Sequence, residues 1–198
     1  MINPIDKKTN TNFTKTRGYH ATVLAKNQTG LKDLYKLISY THTESLMGSP
    51  KIFKSELLNL RDKGNLLIGT SCANGEIFDL ARTNTLARLD EKIRDYDYVE
   101  IQPISVYKNL LQNDSLDLQE LQRTIKIIIE AALKNNKLLV ASSDTHYLDP
   151  ELKLIREIYI NSKGLGGVNH PLYDFKKRVK DYPDQHLRTT QEMLDEFE

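Results

Sequence analysis

Four short apolar runs, each separated from the next by segments of helical period, constrain this chain more than any other feature. The runs are YHATVLA from Tyr19, LLIGTSC over 66–72, YVEIQ over 98–102 and LLVAS over 138–142. Each is of strand length. Between them, Leu31, Leu34, Leu37 and Ile38 fall at helical spacing, and a second helical stretch runs from Lys54 to Lys63. Ile77, Leu80 and Ala81 follow Gly75, while Leu118, Leu121, Ile125, Ile128, Ile129 and Ala132 line one face of the longest helix. Strands alternating with helices imply an α/β fold of parallel strand–helix units with right-handed crossovers.

Local punctuation agrees with that reading. Gly64 stands where a helix end wants positive φ, Ser115 can cap the longest helix, and Pro150 suits the first turn of a helix reaching about Asn161. Thr189 with Glu192 three residues on forms a capping box for a final short helix. Residues 1–18 hold few large apolar side chains and read as a flexible leader or linker. Residues 19–162 carry the α/β pattern, and 163–198 is a Gly-, Pro- and Lys-rich loop that ends in the short helix.

The 198 residues are enough for one sizeable core. With 28 Lys+Arg against 27 Asp+Glu, the chain is not a general electrostatic binder of nucleic acid. Its single cysteine excludes an internal disulfide, and no apolar run approaches the roughly 20 residues of a membrane span. The expected setting is reducing and cytoplasmic.

In parallel α/β folds, ligands meet the carboxyl ends of the strands, so residues just after each run are the first candidates. Cys72 follows LLIGTS, Glu100 and Gln102 end YVEIQ, and Asp144 and His146 follow LLVASS. Residues two apart in extended chain point the same way, so Asp144 and His146 can reach one ion. With Cys72 they make a mixed sulfur, nitrogen and oxygen set that suits zinc, or less selectively manganese or iron. Plainer readings stand beside these. Cys72 can be a small buried hydrophobe, Asp144 a turn residue, His146 a packing histidine at a helix start, and Glu100 an ion-paired structural group. His20 begins its run instead of ending it, so the strand-end argument does not select it. His42 reads as solvated or interhelical, His170 and His186 fall in the long loop and its exit, and the Gly-rich SKGLGGVNH follows a helix and lacks the ending of a phosphate loop.

The strings YHATVLAKNQTGLKDLYKLIS, SPKIFKSELL, LLIGTSCANGEIFDLA, YVEIQP, LLVASSDTHYLDPELK and HLRTTQEMLDEF, in that order, resemble the polymerase-and-histidinol-phosphatase (PHP) domain of PolC-type bacterial DNA polymerase III alpha subunits. The resemblance covers about residues 17–197. It implies part of an incomplete β/α barrel whose strands contribute His, Asp, Glu and Cys to a divalent metal site. Carried over residue by residue, His20, Cys72, Asp144 and His146 match ligand positions, and Glu100 is left a supporting role.

The family's opening His-x-His motif and the Asp, His and Glu ligands that follow it are missing from this sequence, as are the catalytic aspartates of a polymerase palm. The resemblance therefore implies the portion that resumes after an inserted exonuclease domain, with a partial metal site. Its partners would be the rest of the polymerase polypeptide, exonuclease and palm, and DNA through the full enzyme. Open sheet edges could also pair with a second copy. The rival reading is a stand-alone PHP-type phosphoesterase or 3′ to 5′ exonuclease, against which the missing His-x-His counts.

Overall fold

The computed structural model describes residues 18–46, 49–112, 116–176 and 179–197. Strand β1 (Thr22–Ala25) leads into α1 (Gln28–His42) and α2 (Lys54–Arg61), then β2 (Leu66–Gly69), α3 (Glu76–Arg82), α4 (Leu86–Lys92) and β3 (Tyr98–Ile101). After β3 come α5 (Lys108–Gln112), the long α6 (Leu118–Lys134), β4 (Leu138–Ala141), α7 (Lys153–Asn161) and α8 (Thr190–Asp195). The four strands form one sheet in the order β1-β2-β3-β4.

The class is mixed α/β, as the alternation implies, but the sheet is not parallel throughout. β1 runs antiparallel to β2, with Thr22 opposite Gly69 and Ala25 opposite Leu66, whereas β2 and β3 are parallel. The cause lies in the connection. Leaving β1 at Ala25, the chain makes α1 and α2 and re-enters the sheet at the same end, where the Lys26 N–H donates to Asn65 O at 2.9 Å. A strand that starts opposite the end of its predecessor can only run back along it.

The helix starts follow local chemistry. Asn27 caps α1 by accepting the Gly30 N–H at 2.8 Å, so the helix opens three residues before Leu31. A Cβ on Gly30 would stand 2.1 Å from Asn65 O, which is why a glycine sits inside this helix. Asp117 accepts the Glu120 N–H at 2.7 Å at the start of α6; the Ser115 expected there lies outside the described residues, as does nearly all of the leader 1–18. Gly64 has φ of 81°, Pro150 opens the 3-10 turn ahead of α7, and Thr189 and Glu192 make the reciprocal capping box of α8.

The chain divides into two compact units. The first comprises the described residues up to Glu100 with Ile127–Val140, and the second comprises Ile101–Lys126 with the described residues from Ala141 onward. In the first, Leu57, Leu66, Ile68, Ile77, Leu89, Ile93, Tyr96, Val99 and Ala132 are almost wholly buried. Enclosed with them is a charged group. Lys54 Nζ lies 2.6 Å from Glu76 Oε2 and 2.7 Å from Asp95 Oδ2, and the Tyr96 hydroxyl donates to Glu76 Oε2 at 3.1 Å. Burial, then the Glu76 charge, pushes the Tyr96 phenol well above its ordinary value, so it stays a donor.

In the second unit Ile160, Val179 and Tyr182 form a small apolar cluster with Leu172 against it. Around it, Lys108 lies 2.7 Å from Asp181 and 2.6 Å from Asp184, and Lys153 pairs with both aspartates, with Asp184 at 2.7 Å. The Tyr182 hydroxyl donates to Asn161 at 3.0 Å. Residues on either side of 162 therefore pack within one unit. Among the described residues, no helix is long and apolar enough to cross a membrane.

Candidate metal centre

The turn after β2 carries Cys72. Thr70 Oγ1 accepts the Glu100 N–H at 2.9 Å, which fixes the start of the turn to β3. Ser71 then takes a left-handed φ of 62°, and Gly75 closes the loop by donating to Cys72 O at 2.7 Å. No other residue fits at 75, because a Cβ would stand 2.2 Å from Thr70 O. His20 lies alongside as an isolated parallel bridge partner of Gly75, with its N–H on Asn74 O at 3.0 Å. This arrangement brings Cys72 Sγ to 3.6 Å from His20 Nδ1. His20 thus reaches the turn although it precedes its strand, a proximity that strand-end reasoning could not supply.

Asp144 and His146 lie in the second unit. Asp144 takes a left-handed φ of 48° beyond the end of β4, unusual for a residue with a side chain. Its Oδ1 stands 3.6 Å from His146 Nε2, and its Oδ2 accepts from Gln185 Nε2 at 2.6 Å. Gln185 is 3% exposed. The strap that carries it is tied down on both sides: the His146 N–H donates to Gln185 O at 2.7 Å, the Gln185 N–H to the Tyr147 hydroxyl at 3.0 Å, and the Leu187 N–H to Tyr147 O at 3.0 Å. Gln185 had no signal in the sequence beyond being a polar residue in a loop; only the folded strap makes it the partner of Asp144.

Glu100 sits beside Tyr98, two residues earlier on β3. Burial first, with the Glu100 charge adding to it, pushes the Tyr98 phenol up to about 12.

Both pairs have the spacing of two ligands on one ion. Bonds of about 2.3 Å to sulfur and about 2.0–2.1 Å to nitrogen, at a tetrahedral angle, put the two donors about 3.6 Å apart, and a nitrogen–oxygen pair about 3.4 Å apart. Neither pair supplies a third donor. Among the described residues, no three His, Cys, Asp or Glu side chains come together as an ion would need. The residues present fit as two-ligand fragments, short of a closed shell, and the two fragments belong to different units.

The chain belongs to the PHP domain family, whose model matches residues 5–139. It is 35% identical over 188 residues to the DNA polymerase III PolC-type of Streptococcus pneumoniae serotype 4 (strain TIGR4), and 37% identical over 188 residues to that of Streptococcus mutans. A similar protein from Latilactobacillus sakei is 37% identical over 187 residues. The matches cover 93–94% of this chain but only 12–13% of the relatives, so the chain spans about one eighth of their length. It is homologous to the PHP region of these proteins.

Proposed function

We propose that the chain is the PHP segment of a PolC-type replicative DNA polymerase III and contributes part of a divalent metal site. The observation that supports this is the match along nearly the whole chain to one restricted part of the PolC-type relatives. In this reading its partner is the remaining polypeptide, with exonuclease and palm, DNA is met through the full enzyme, the setting is cytoplasmic, and the strands form part of an incomplete β/α barrel.

The candidate ligands form two partial sites, His20 with Cys72 in the first unit and Asp144 with His146 in the second. Sulfur and imidazole favour zinc over harder ions. A divalent ion held there would supply Lewis acidity and make hydroxide available as a nucleophile toward phosphorus at neutral pH. The chain's own groups do the positioning. Gln185 holds Asp144 Oδ2 and leaves Oδ1 toward His146, while the left-handed Ser71 and the Gly75 closure aim Cys72 at His20. Glu100 supports that turn through its N–H on Thr70.

Immunodetection in the source cells with an antibody to this region tests the reading. A polypeptide several times longer than this chain, which binds zinc and loses it in His20→Ala and Asp144→Ala variants, is the expected result. A product of this chain's own length that hydrolyses phosphoesters would overturn it in favour of the stand-alone enzyme, and unchanged zinc in both variants would place the ligands elsewhere.

A further inference from the structure

We infer that the second unit holds a phosphate-binding place at Arg156, beside His170 and the ring of Tyr159, suited to the oxyanion of a phosphomonoester or phosphodiester. It is separate from the four ligand candidates and does not depend on the polymerase reading.

Arg156 lies on α7 one turn before Ile160, whose side chain is fully buried, so the guanidinium leaves from the packed side of the helix. Its Nε is closed off from solvent and donates to no acceptor. Among the described residues no carboxylate pairs with Arg156; its guanidinium carbon stands 5.7 Å from the centroid of the Tyr159 ring. The side chain as a whole is only partly buried, so an anion from solution would meet the outer guanidinium nitrogens, which no carboxylate among the described residues neutralises, and not the closed-off Nε.

His170 meets the same Tyr159 ring edge-on, at 5.4 Å between centroids. Its Nδ1 accepts the Leu172 N–H at 3.1 Å, which places the proton of the neutral ring on Nε2 and makes that atom a donor. Burial, then the charges of Arg156 and His146, holds this imidazole below its ordinary value, which favours the neutral ring with its Nε2 donor. The Gly-rich segment discounted as a phosphate loop has a different use. Gly166 and Gly167 take φ of 73° and 75°, and the Gly164 N–H closes the turn on Val168 O at 3.0 Å, which carries the chain from the end of α7 to His170.

The guanidinium offers a planar fork of donors and the imidazole adds one from a separate ring. A tetrahedral oxyanion with several acceptor oxygens matches that set better than a planar carboxylate, which the fork alone would satisfy.

The test uses metal-stripped protein, so failure of the metal reading leaves it intact. The Arg156 Nε–Hε and His170 ring signals are followed by NMR while inorganic phosphate, and separately a short oligothymidylate, is added. Both signals should shift saturably with phosphate. Arg156→Ala should weaken binding by about tenfold or more, with Arg156→Lys, which keeps the charge but not the fork, in between. Oligothymidylate giving the same shifts at lower concentration assigns a phosphodiester, and phosphate alone acting assigns a terminal or free phosphate; either supports the site. Absence of a saturable shift at Arg156 and His170, or unchanged affinity in a folded Arg156→Ala protein, overturns it. Should that variant not fold, the wild-type shifts decide.

Discussion

In the first unit the Lys54–Glu76 pair is enclosed by the apolar core, whereas in the second the paired lysines and aspartates stand partly in water. Lys54 and Glu76 keep only 11% and 9% of their side-chain surface exposed, against 29% and 23% for Lys108 and Lys153 and 48% for Asp181. Lys54 and Glu76 have little access to solvent with which to replace each other, although Asp95, at 31% exposed, stands nearer the surface. Two lysines alternating with two aspartates at the surface can exchange their partners for solvent. The first unit should therefore respond to single deletions and the second to pH and salt.

The largest expected effect follows from deleting the enclosed cation. Lys54→Met leaves Glu76 and Asp95 facing each other without a counter-charge, and should cost about 3–5 kcal/mol, read from urea unfolding of the chain. A loss under about 1 kcal/mol would mean that the group is solvated after all and would erase the contrast between the units.

A smaller effect is expected in the second unit, and its sign can be worked out. Hydrogen bonds from Lys108 and Lys153 hold the Asp181 carboxyl below its ordinary value; at Asp184 burial pushes upward but the same two lysines outweigh it. A carboxyl lowered on folding adds stability above its unfolded value, about pH 3.9, and loses it as pH falls through the lowered folded value. At the lysines, burial pushes downward but the aspartates outweigh it, so that contribution is present below about pH 10.4 and is lost as pH rises past the raised folded value. Hydrogen exchange of the 179–188 segment, measured relative to the intrinsic rate at each pH, should accelerate below about pH 4 and, at neutral pH, in molar salt, while the Leu66–Gly69 amides stay protected. Equal acceleration in both segments would refute the division.

The smallest effect is local. Thr189→Ala removes the side chain that accepts the Glu192 N–H at 3.3 Å and should cost about 1 kcal/mol, confined to α8. Helical content measured by NMR shifts over Thr190–Asp195 checks it, and loss of order beyond α8 would show that this cap supports more of the second unit than its own helix.

Legibility differed between features for the same reason that these effects differ in range. The capping box, Gly64 and the Pro150 turn were readable because each involves residues within one helical turn, whose spacing the sequence displays. Cys72, Asp144 and His146 stood out because they follow apolar runs. That His20 comes within 3.6 Å of Cys72, that Gln185 holds Asp144 and that Arg156 is left without an acceptor were not readable, since each depends on segments far apart in sequence.

By itself, then, the sequence determined where the strands and the longer helices lie and which side chains stand at strand ends, because periodicity and capping are local; the short helices Leu86–Lys92 and Lys108–Gln112 gave no such signal. Tertiary structure alone decided that β1 turns back antiparallel to β2, that Lys54 is the counter-charge of Glu76 and Asp95, and that the ligand candidates fall into two pairs. Those outcomes turn on which distant segments close upon one another, a choice made by the burial and pairing of the whole unit.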